Sequence, residues 1–298
     1  MTFFEAIVLG LIQGVTELFP VSSLGHSVIL PAFFGWNDVV AAQRASESYF
    51  LAFLVGLHVA TALALAWYFR GDWVRIIGAL VSSLARRRID TPDARLGWLL
   101  VVATIPAGLL GLIFEHQLRV IFATPVLAGI LLCVNGLILL TGERLRRRST
   151  AQVNRPLRLG PAVRDPAEAG RRELDSLEFR EAGAIGVGQV FALLAGISRS
   201  GITMVAGLVR GLDHEDAARF SFLLATPIIL AAGVYKLPDL LGPNGNGVQA
   251  QVLAGSVAAA IAAYLSVRFL SRYFTTRTLT PFAIYCLIAG VVTVVRFH

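Results

Sequence analysis

Gln13, Glu17, Ser22, Ser23, His26 and Ser27 crowd one short stretch, QGVTELFPVSSLGHS, and Ser198, Arg199, Ser200 and Thr203 crowd a second, ISRSGIT. Hydroxyl, imidazole, carboxylate and guanidinium are what phosphoryl transfer asks for, since that reaction depends chiefly on positioning and charge neutralisation. If a helix starts at Ser23, then Ser23 and His26 lie three apart on one face. The imidazole then takes the serine proton or protonates a leaving oxygen. Glu17 has three open roles: orienting the histidine, acting as base, or holding a divalent cation that bridges phosphates. A serine after the Pro20 turn is a natural N-cap, and the free N–H groups of the helix it starts favour an anion. Arg199 offers a planar fork of donors matched to phosphate oxygens. Capping alone explains Ser22 or Ser23; it does not explain His26.

The elements that must carry these residues are apolar. Of 298 residues 56% are hydrophobic and 15% charged, and the mean hydropathy is +0.70, too apolar for an ordinary soluble domain. The chain reads as an all-α integral membrane protein forming one membrane domain over 1–298. Apolar runs at 50–69, 96–114, 120–140, 217–235, 248–267 and 279–295 each suit a spanning helix, since roughly 20 residues cross the hydrocarbon core, and predict six such helices. Residues 72–88, DWVRIIGALVSSLARRR, place apolar side chains at helical spacing and end in arginines, as a helix lying in the interface does. The net charge of +7 comes from arginines between apolar runs, which fits the positive-inside rule and not nucleic-acid binding. Cys133 and Cys286 sit in apolar runs without a Cys or His partner, so neither a disulfide framework nor a zinc site is expected. Glu5 interrupts the first apolar stretch, and no cleavable leader is expected there.

Residues 3–19 and 22–36, and likewise 182–197 and 201–212, are apolar but short, and each pair meets at a Ser- and Gly-rich break. Such broken segments in corresponding places predict re-entrant hairpins with their tips near the midplane. An offset of 176 residues carries Glu5 onto Glu181, Ala6 onto Ala182, Gly10 onto Gly186, Gln13 onto Gln189, Ser22 onto Ser198 and Gly25 onto Gly201 without a gap. This is a duplicated unit: a first repeat at 1–141, a polar linker at 142–180 and a second repeat at 181–298. The arginine-rich loops at 70–95, 144–180 and 268–277 are assigned to the cytoplasm, and 115–119 and 239–247 to the outside. Threading the spans through these assignments inverts one repeat relative to the other, so that residues 17–27 face 198–203. An ionisable group at membrane depth costs about 2.5 to 3.5 kcal/mol on insertion scales, and such a group is a functional candidate by default.

These motifs, QGVTELFPVSSLGH and GISRSG, resemble the two signatures of the bacterial undecaprenyl pyrophosphate phosphatase family, integral membrane enzymes linked to bacitracin resistance. The resemblance extends over essentially the whole chain. It implies hydrolysis of undecaprenyl pyrophosphate to undecaprenyl phosphate and phosphate, which recycles the lipid carrier of cell-wall synthesis. It also implies a divalent cation, Mg2+ or Ca2+, and a site in the bacterial plasma membrane that opens outward. Carried over by residue, it gives Ser23 as nucleophile, His26 as acid or base, Glu17 as the second acidic position of the first motif, and Ser198, Arg199 and Thr203 as phosphate-binding. Ser22, Ser27 and Ser200 join them as neighbouring hydroxyls. Gln13 stands where many members have glutamate, so a metal held by Glu17 and Gln13 meets one charge fewer. Ser22 or His26 remains open as the attacking group. The partners expected are an isoprenoid pyrophosphate lipid and membrane lipids, with no nucleic acid and a homodimer as an open assembly.

His58, mid-helix in FLVGLHVATALAL, is a packing histidine or a supporting group of the site. His116, His214 and His298 read as solvated, and Asp213, Glu215 and Asp216 as helix-capping or solvated. The rival reading is a transporter or flippase of an isoprenoid phosphate, which shares the inverted-repeat architecture but needs no nucleophile.

Overall fold

The structure is a computed structural model that describes residues 1–44, 49–122, 124–153, 174, 177–241 and 247–298. The described residues form helices and the turns between them. Helix α1, Phe3–Thr16, starts in a capping box: Glu5 N–H donates to Thr2 Oγ1 at 3.2 Å and Thr2 N–H to the Glu5 carboxylate at 2.6 Å, which satisfies two N–H groups the helix cannot. After a break at 17–22, α2 runs Ser23–Phe34 and stops at Gly35, whose φ of 68° is the left-handed conformation that ends helices. A short α3, Asn37–Arg44, leads to α4, Tyr49–Tyr68. Then α5, Arg70–Arg86, turns away from α4 by 84°. Its exposed Val74, Ile77, Val81 and Leu84 form the apolar stripe expected of an interfacial helix.

Two long helices follow, α6 at Pro92–Phe122 and α7 at Pro125–Val153. The second half also opens on two short helices. Helix α8, Phe179–Gly188, runs into a 3-10 turn at Gln189–Leu193, and after a break α9 spans Arg199–Val209. Helices α10, His214–Leu241, α11, Gln249–Tyr273, and α12, Thr280–Phe297, complete the chain. Among the described residues five helices are long and apolar enough to span a bilayer, and six if the bent α4 and α5 count as one span. The chain is therefore a multi-pass, all-helical membrane protein. Along α11 the residues Leu253, Val257, Ile261, Leu265 and Phe269 are all more than half exposed. A stripe of that kind is unfavourable in water and at home against lipid.

Two expectations about loops fail. Residues 115–119, expected as an outer loop, continue α6, and the first part of the expected linker, 142–153, continues α7. Apolar patterning sees only the lipid-buried length of a helix, and polar turns beyond it carry no apolar signal. The rest of the expected linker lies largely at 154–173 and 175–176, outside the described residues, as do 242–246 of the second expected outer loop.

The short helices are held by close backbone contact. A Cβ on Gly10 of α1 would lie 2.2 Å from the Gly255 carbonyl oxygen of α11. In the second half, a Cβ on Gly186 of α8 would lie 2.5 Å from the Ala103 carbonyl oxygen of α6. Small residues of this kind let apolar helices approach within dispersion range where lipid offers no hydrophobic drive. Each long helix thereby braces one short helix whose end leads into a polar break.

Candidate active site

The two breaks meet. Gly196, held at φ 113°, donates its N–H to Ser22 Oγ at 3.1 Å, and a Cβ on Gly25 would lie 3.0 Å from Gly196 Cα. Ser200 Oγ donates to the Phe19 carbonyl at 3.3 Å. Asn135, fully buried on α7, ties both together: its Nδ2 donates to the Pro20 carbonyl at 3.0 Å and its Oδ1 accepts from Ser198 N–H at 2.9 Å. Each break leads into a capped helix. Ser22 Oγ accepts from Gly25 N–H at 3.2 Å and Ser198 Oγ from Gly201 N–H at 3.1 Å. The positive ends of α2 and α9 consequently point at the same place.

At that place the Glu17 carboxylate collects donors from both sides. Its Oε2 accepts from Ser23 Oγ at 2.5 Å and from Gln13 Nε2 at 3.0 Å. Its Oε1 accepts from Arg199 Nη2 at 2.5 Å, an ion pair whose side chains are 6% and 16% exposed. A buried carboxylate is tolerated only when paired and hydrogen-bonded in this way. The guanidinium has five N–H donors, so the pair leaves it capacity for phosphate oxygens. His58 of α4 brings Nε2 to 3.5 Å from Glu17 Oε2, its Nδ1 bonded at 2.8 Å to the Leu54 carbonyl.

These groups lie along a cavity of about 470 Å³. Glu17, Ser22, Ser23, Ser27, His58, Ser198 and Arg199 are among its polar lining, and Leu24, Val28, Phe50, Leu54, Val55, Ile228 and Ile229 among its apolar lining. A charged floor under apolar walls suits an amphipathic ligand with an anionic head and a hydrocarbon tail.

Residues 6–292 match the family described as Bacitracin resistance protein BacA. The chain belongs to the BacA family. It is 53% identical over 337 residues to the undecaprenyl-diphosphatase 2 of Frankia alni, covering 100% of this chain and 98% of the relative. It is 57% identical over 292 residues to the undecaprenyl-diphosphatase of Mycolicibacterium paratuberculosis, covering 97% and 95%. A more distant relative, the undecaprenyl-diphosphatase 2 of Chromobacterium violaceum, is 44% identical over 98% of both chains.

Within this BacA-family chain the residues named from sequence divide into two groups. Glu17, Ser22, Ser23, Ser27, Ser198 and Arg199 line the cavity. Gln13 stands behind Glu17, and its amide oxygen has no hydrogen-bond partner. Ser200 and Thr203 are buried in bonds that brace the second break: Thr203 Oγ1 donates to the Arg199 carbonyl at 2.9 Å, and the Ser198 and Ser200 hydroxyl oxygens are hydrogen-bonded at 3.0 Å. His26 is turned aside: Nδ1 bonds the Ser22 carbonyl at 2.7 Å and Nε2 the Tyr285 hydroxyl on α12 at 2.7 Å. The histidine that lines the cavity is His58.

Sequence reasoning missed Asn135, though a lone asparagine inside the apolar run ILLCVNGLILL is itself the signal of a polar group kept at membrane depth. It missed Tyr285, which carries no such signal in an amphipathic aromatic. His214, expected to be solvated, is buried, with its Nε2 2.8 Å from Glu143 Oε2 on α7; helix α10 begins at His214 and packs that end inward. Asp213 caps α10 as expected, its Oδ1 accepting from Asp216 N–H at 2.8 Å.

Gln13 and Glu17 supply hard oxygen donors. Among the described residues no group of three or more His, Cys, Asp or Glu side chains is arranged to hold a metal. The orphaned Gln13 oxygen beside a carboxylate nevertheless fits a cation that takes the remaining ligands from substrate phosphate and water, as Mg2+ does at phosphate sites.

Proposed function

We propose that the chain hydrolyses undecaprenyl pyrophosphate to undecaprenyl phosphate and inorganic phosphate at the Glu17–Ser23–Arg199 cluster. The observation that carries the site is the Ser23 hydroxyl donating to Glu17 at 2.5 Å while Arg199 holds the other oxygen of the same carboxylate. The base within reach of the nucleophile is thus Glu17. Ser23 Oγ attacks the terminal phosphorus, its proton passes to Glu17 Oε2, and the bridging P–O bond breaks to release undecaprenyl phosphate. Water then attacks the phosphoserine, forming a new P–O bond as the bond to Ser23 Oγ breaks and the hydroxyl regains a proton, and inorganic phosphate leaves. Arg199, with Ser198 and the N–H groups at the starts of α2 and α9, holds the phosphate oxygens and stabilises the charge that develops on them. Glu17 with Gln13 would hold a divalent cation, Mg2+ or Ca2+, which would supply further neutralisation of the pyrophosphate.

His26 acts as a positioning residue in this reading, fixing the turn that presents Ser23 through the Ser22 carbonyl. Thr203 and Ser200 shape the Arg199 turn from behind. The supports for an inverted repeat are the offset of 176 residues, the matching caps at Ser22 and Ser198, and the matching Gly10 and Gly186 contacts. On it, the pairs α1–α2 and α8–α9 are re-entrant hairpins with tips near the midplane, in repeats at 1–141 and 181–298. The cavity is lined by Gln43 near the end of α3, by Phe50 near the start of α4 and by Tyr235 and Lys236 near the end of α10. Those are the ends opposite the arginine-rich loops, so the site faces the outer side of the plasma membrane.

Phosphate release from undecaprenyl pyrophosphate by the detergent-purified protein, with and without divalent cation, tests the reading. Metal-dependent release is expected from wild type and not from folded Ser23→Ala or Arg199→Ala. A folded wild type that releases none over a range of isoprenoid chain lengths and metals overturns it.

A further inference from the structure

Gln13 and Gln189 stand at matched places ahead of the two breaks, and each is 2% exposed. Each amide is held by its nitrogen. Gln13 Nε2 donates to Glu17 Oε2 at 3.0 Å, and Gln189 Nε2 donates to the Ala103 carbonyl of α6 at 3.1 Å. Turning either amide over would set its oxygen against that acceptor, so the orientation is fixed by the neighbours. In consequence Oε1 of both residues is buried with no hydrogen-bond partner. An acceptor left unpaired costs stability that an apolar side chain of the same volume avoids.

Gln13 sits behind Glu17, whereas Gln189 lines the cavity that Glu17, Ser23, Ser198 and Arg199 also line. Ser23 and Arg199 donate to the Glu17 carboxylate, and the Ser198 hydroxyl is bonded to Ser200 Oγ. Among the described residues that line the cavity, Gln189 is the one with a buried side-chain polar atom left without a hydrogen-bond partner. Thr104 of α6 lines the same wall, but its hydroxyl is committed to the Leu100 carbonyl at 2.7 Å.

We infer that Gln189 is a further binding residue of the reaction, its Oε1 accepting a hydrogen bond from an O–H at the reacting phosphate. That O–H belongs either to the protonated terminal phosphate of the substrate or to the water that cleaves the phosphoserine; both offer the same chemistry to an amide oxygen. The inference rests on the phosphatase reading above. It places a second-repeat residue among the groups that touch the reaction, in addition to Arg199.

The test is steady-state and acid-quench kinetics on Gln189→Met and Gln189→Leu in the full-length protein, with thermal midpoints measured alongside. Either variant removes the orphaned acceptor. The expected result is a loss of kcat/KM of at least about tenfold at an unchanged or raised midpoint, because stability and activity part company only where an unpaired group serves a ligand. A loss carried by KM assigns the O–H to the substrate phosphate. A loss carried by kcat, with phosphoenzyme accumulating from substrate labelled in the terminal phosphate, assigns it to the water. Wild-type kcat and KM in either folded variant overturn the inference, and so does any loss that comes with a lowered midpoint, or failure of both variants to fold. Wild type that releases no phosphate in the same preparation fails the phosphatase reading instead.

Discussion

At the first break a carboxylate stands at position 17 and a hydroxyl at 23; at the second, 176 residues on, the matching places hold Leu193 and Arg199. The backbone devices are alike. Ser22 and Ser198 cap their helices with the same Oγ-to-N–H bond. The side chains diverge where the helices begin, so that a hydroxyl and a guanidinium converge on one carboxylate from opposite sides. A second carboxylate in place of Leu193 would repel the first across a low-dielectric gap. The two breaks share a capping device, and their difference at 17 against 193 and 23 against 199 is what sets a hydroxyl and a guanidinium on one carboxylate.

The sharpest way to break the comparison is to make the tips equal. Ser23→Ala is expected to lower phosphate release by roughly 10³-fold or more while removing only one hydrogen bond from the fold. Arg199→Ala is expected to do similar damage to activity and also to destabilise by roughly 3 to 5 kcal/mol, since it strands a buried carboxylate. Glu17→Leu gives the first break the residue of the second. Combined with Arg199→Ala it removes both charges, and the double variant is expected to regain most of the lost stability with no activity. Thermal unfolding beside phosphate release checks this, and a double variant no more stable than Arg199→Ala would deny that the pair is the electrostatic link between the tips.

Next in size is the clamp that treats the tips alike. Asn135→Leu strands the Ser198 N–H and leaves the Pro20 carbonyl only the weak Cys286 thiol donor, and a loss of roughly 1 to 3 kcal/mol is expected. Activity should fall with it, because the Glu17–Arg199 contact depends on the register of the two breaks. Full activity in Asn135→Leu would mean that the tips find each other without α7.

How much of this was readable beforehand depends on the range of the interaction. The meeting of residue 17 with residue 199 was legible, because isolated charges in apolar segments must be paired and the duplication supplied the geometry. The helices were legible wherever lipid-buried length set the pattern, and illegible in the polar extensions of α6 and α7. The two histidines sit where long-range packing, and not local spacing, puts them. Three-residue spacing puts His26 near Ser23 on an isolated helix, but in the packed structure Ser23 bonds Glu17 while the His26 ring bonds Tyr285, 259 residues distant. His58 reaches the carboxylate only because α4 packs beside the first break, and no local pattern encodes that. Gln189 was visible as the partner of Gln13; that its oxygen lacks a donor is a fact of packing alone.

The two histidines give an intermediate effect that sharpens the roles inside the first tip. His26→Ala and Tyr285→Phe remove two ends of one bond, so their effects on the thermal midpoint should be non-additive, with a coupling of about 0.5 to 3 kcal/mol. His58→Ala should instead couple to Glu17 and lower kcat by about tenfold with little change in midpoint. Additive effects for His26 and Tyr285, together with coupling of His26 to Ser23 in kcat, would return the acid–base role to His26.

The smallest effect tests the caps themselves. Ser22 has φ 70°, a left-handed value that a residue with a Cβ adopts at a cost, whereas Ser198 has φ −93° and carries no such strain. Ser22 Oγ also serves two N–H groups, Gly25 and Gly196, against one for Ser198. Alanine at either place should destabilise, by about 1 kcal/mol at Ser198 and by about 2 at Ser22. Glycine recovers part of the loss at any N-cap, but at Ser22 it relieves backbone strain as well, so the advantage of glycine over alanine should be larger there by about 1 kcal/mol. Four single variants and their thermal midpoints measure this. Equal glycine advantages at the two caps would mean that the strained turn belongs to the Ser22 side chain and its bond to Gly196 rather than to the backbone path that presents Ser23.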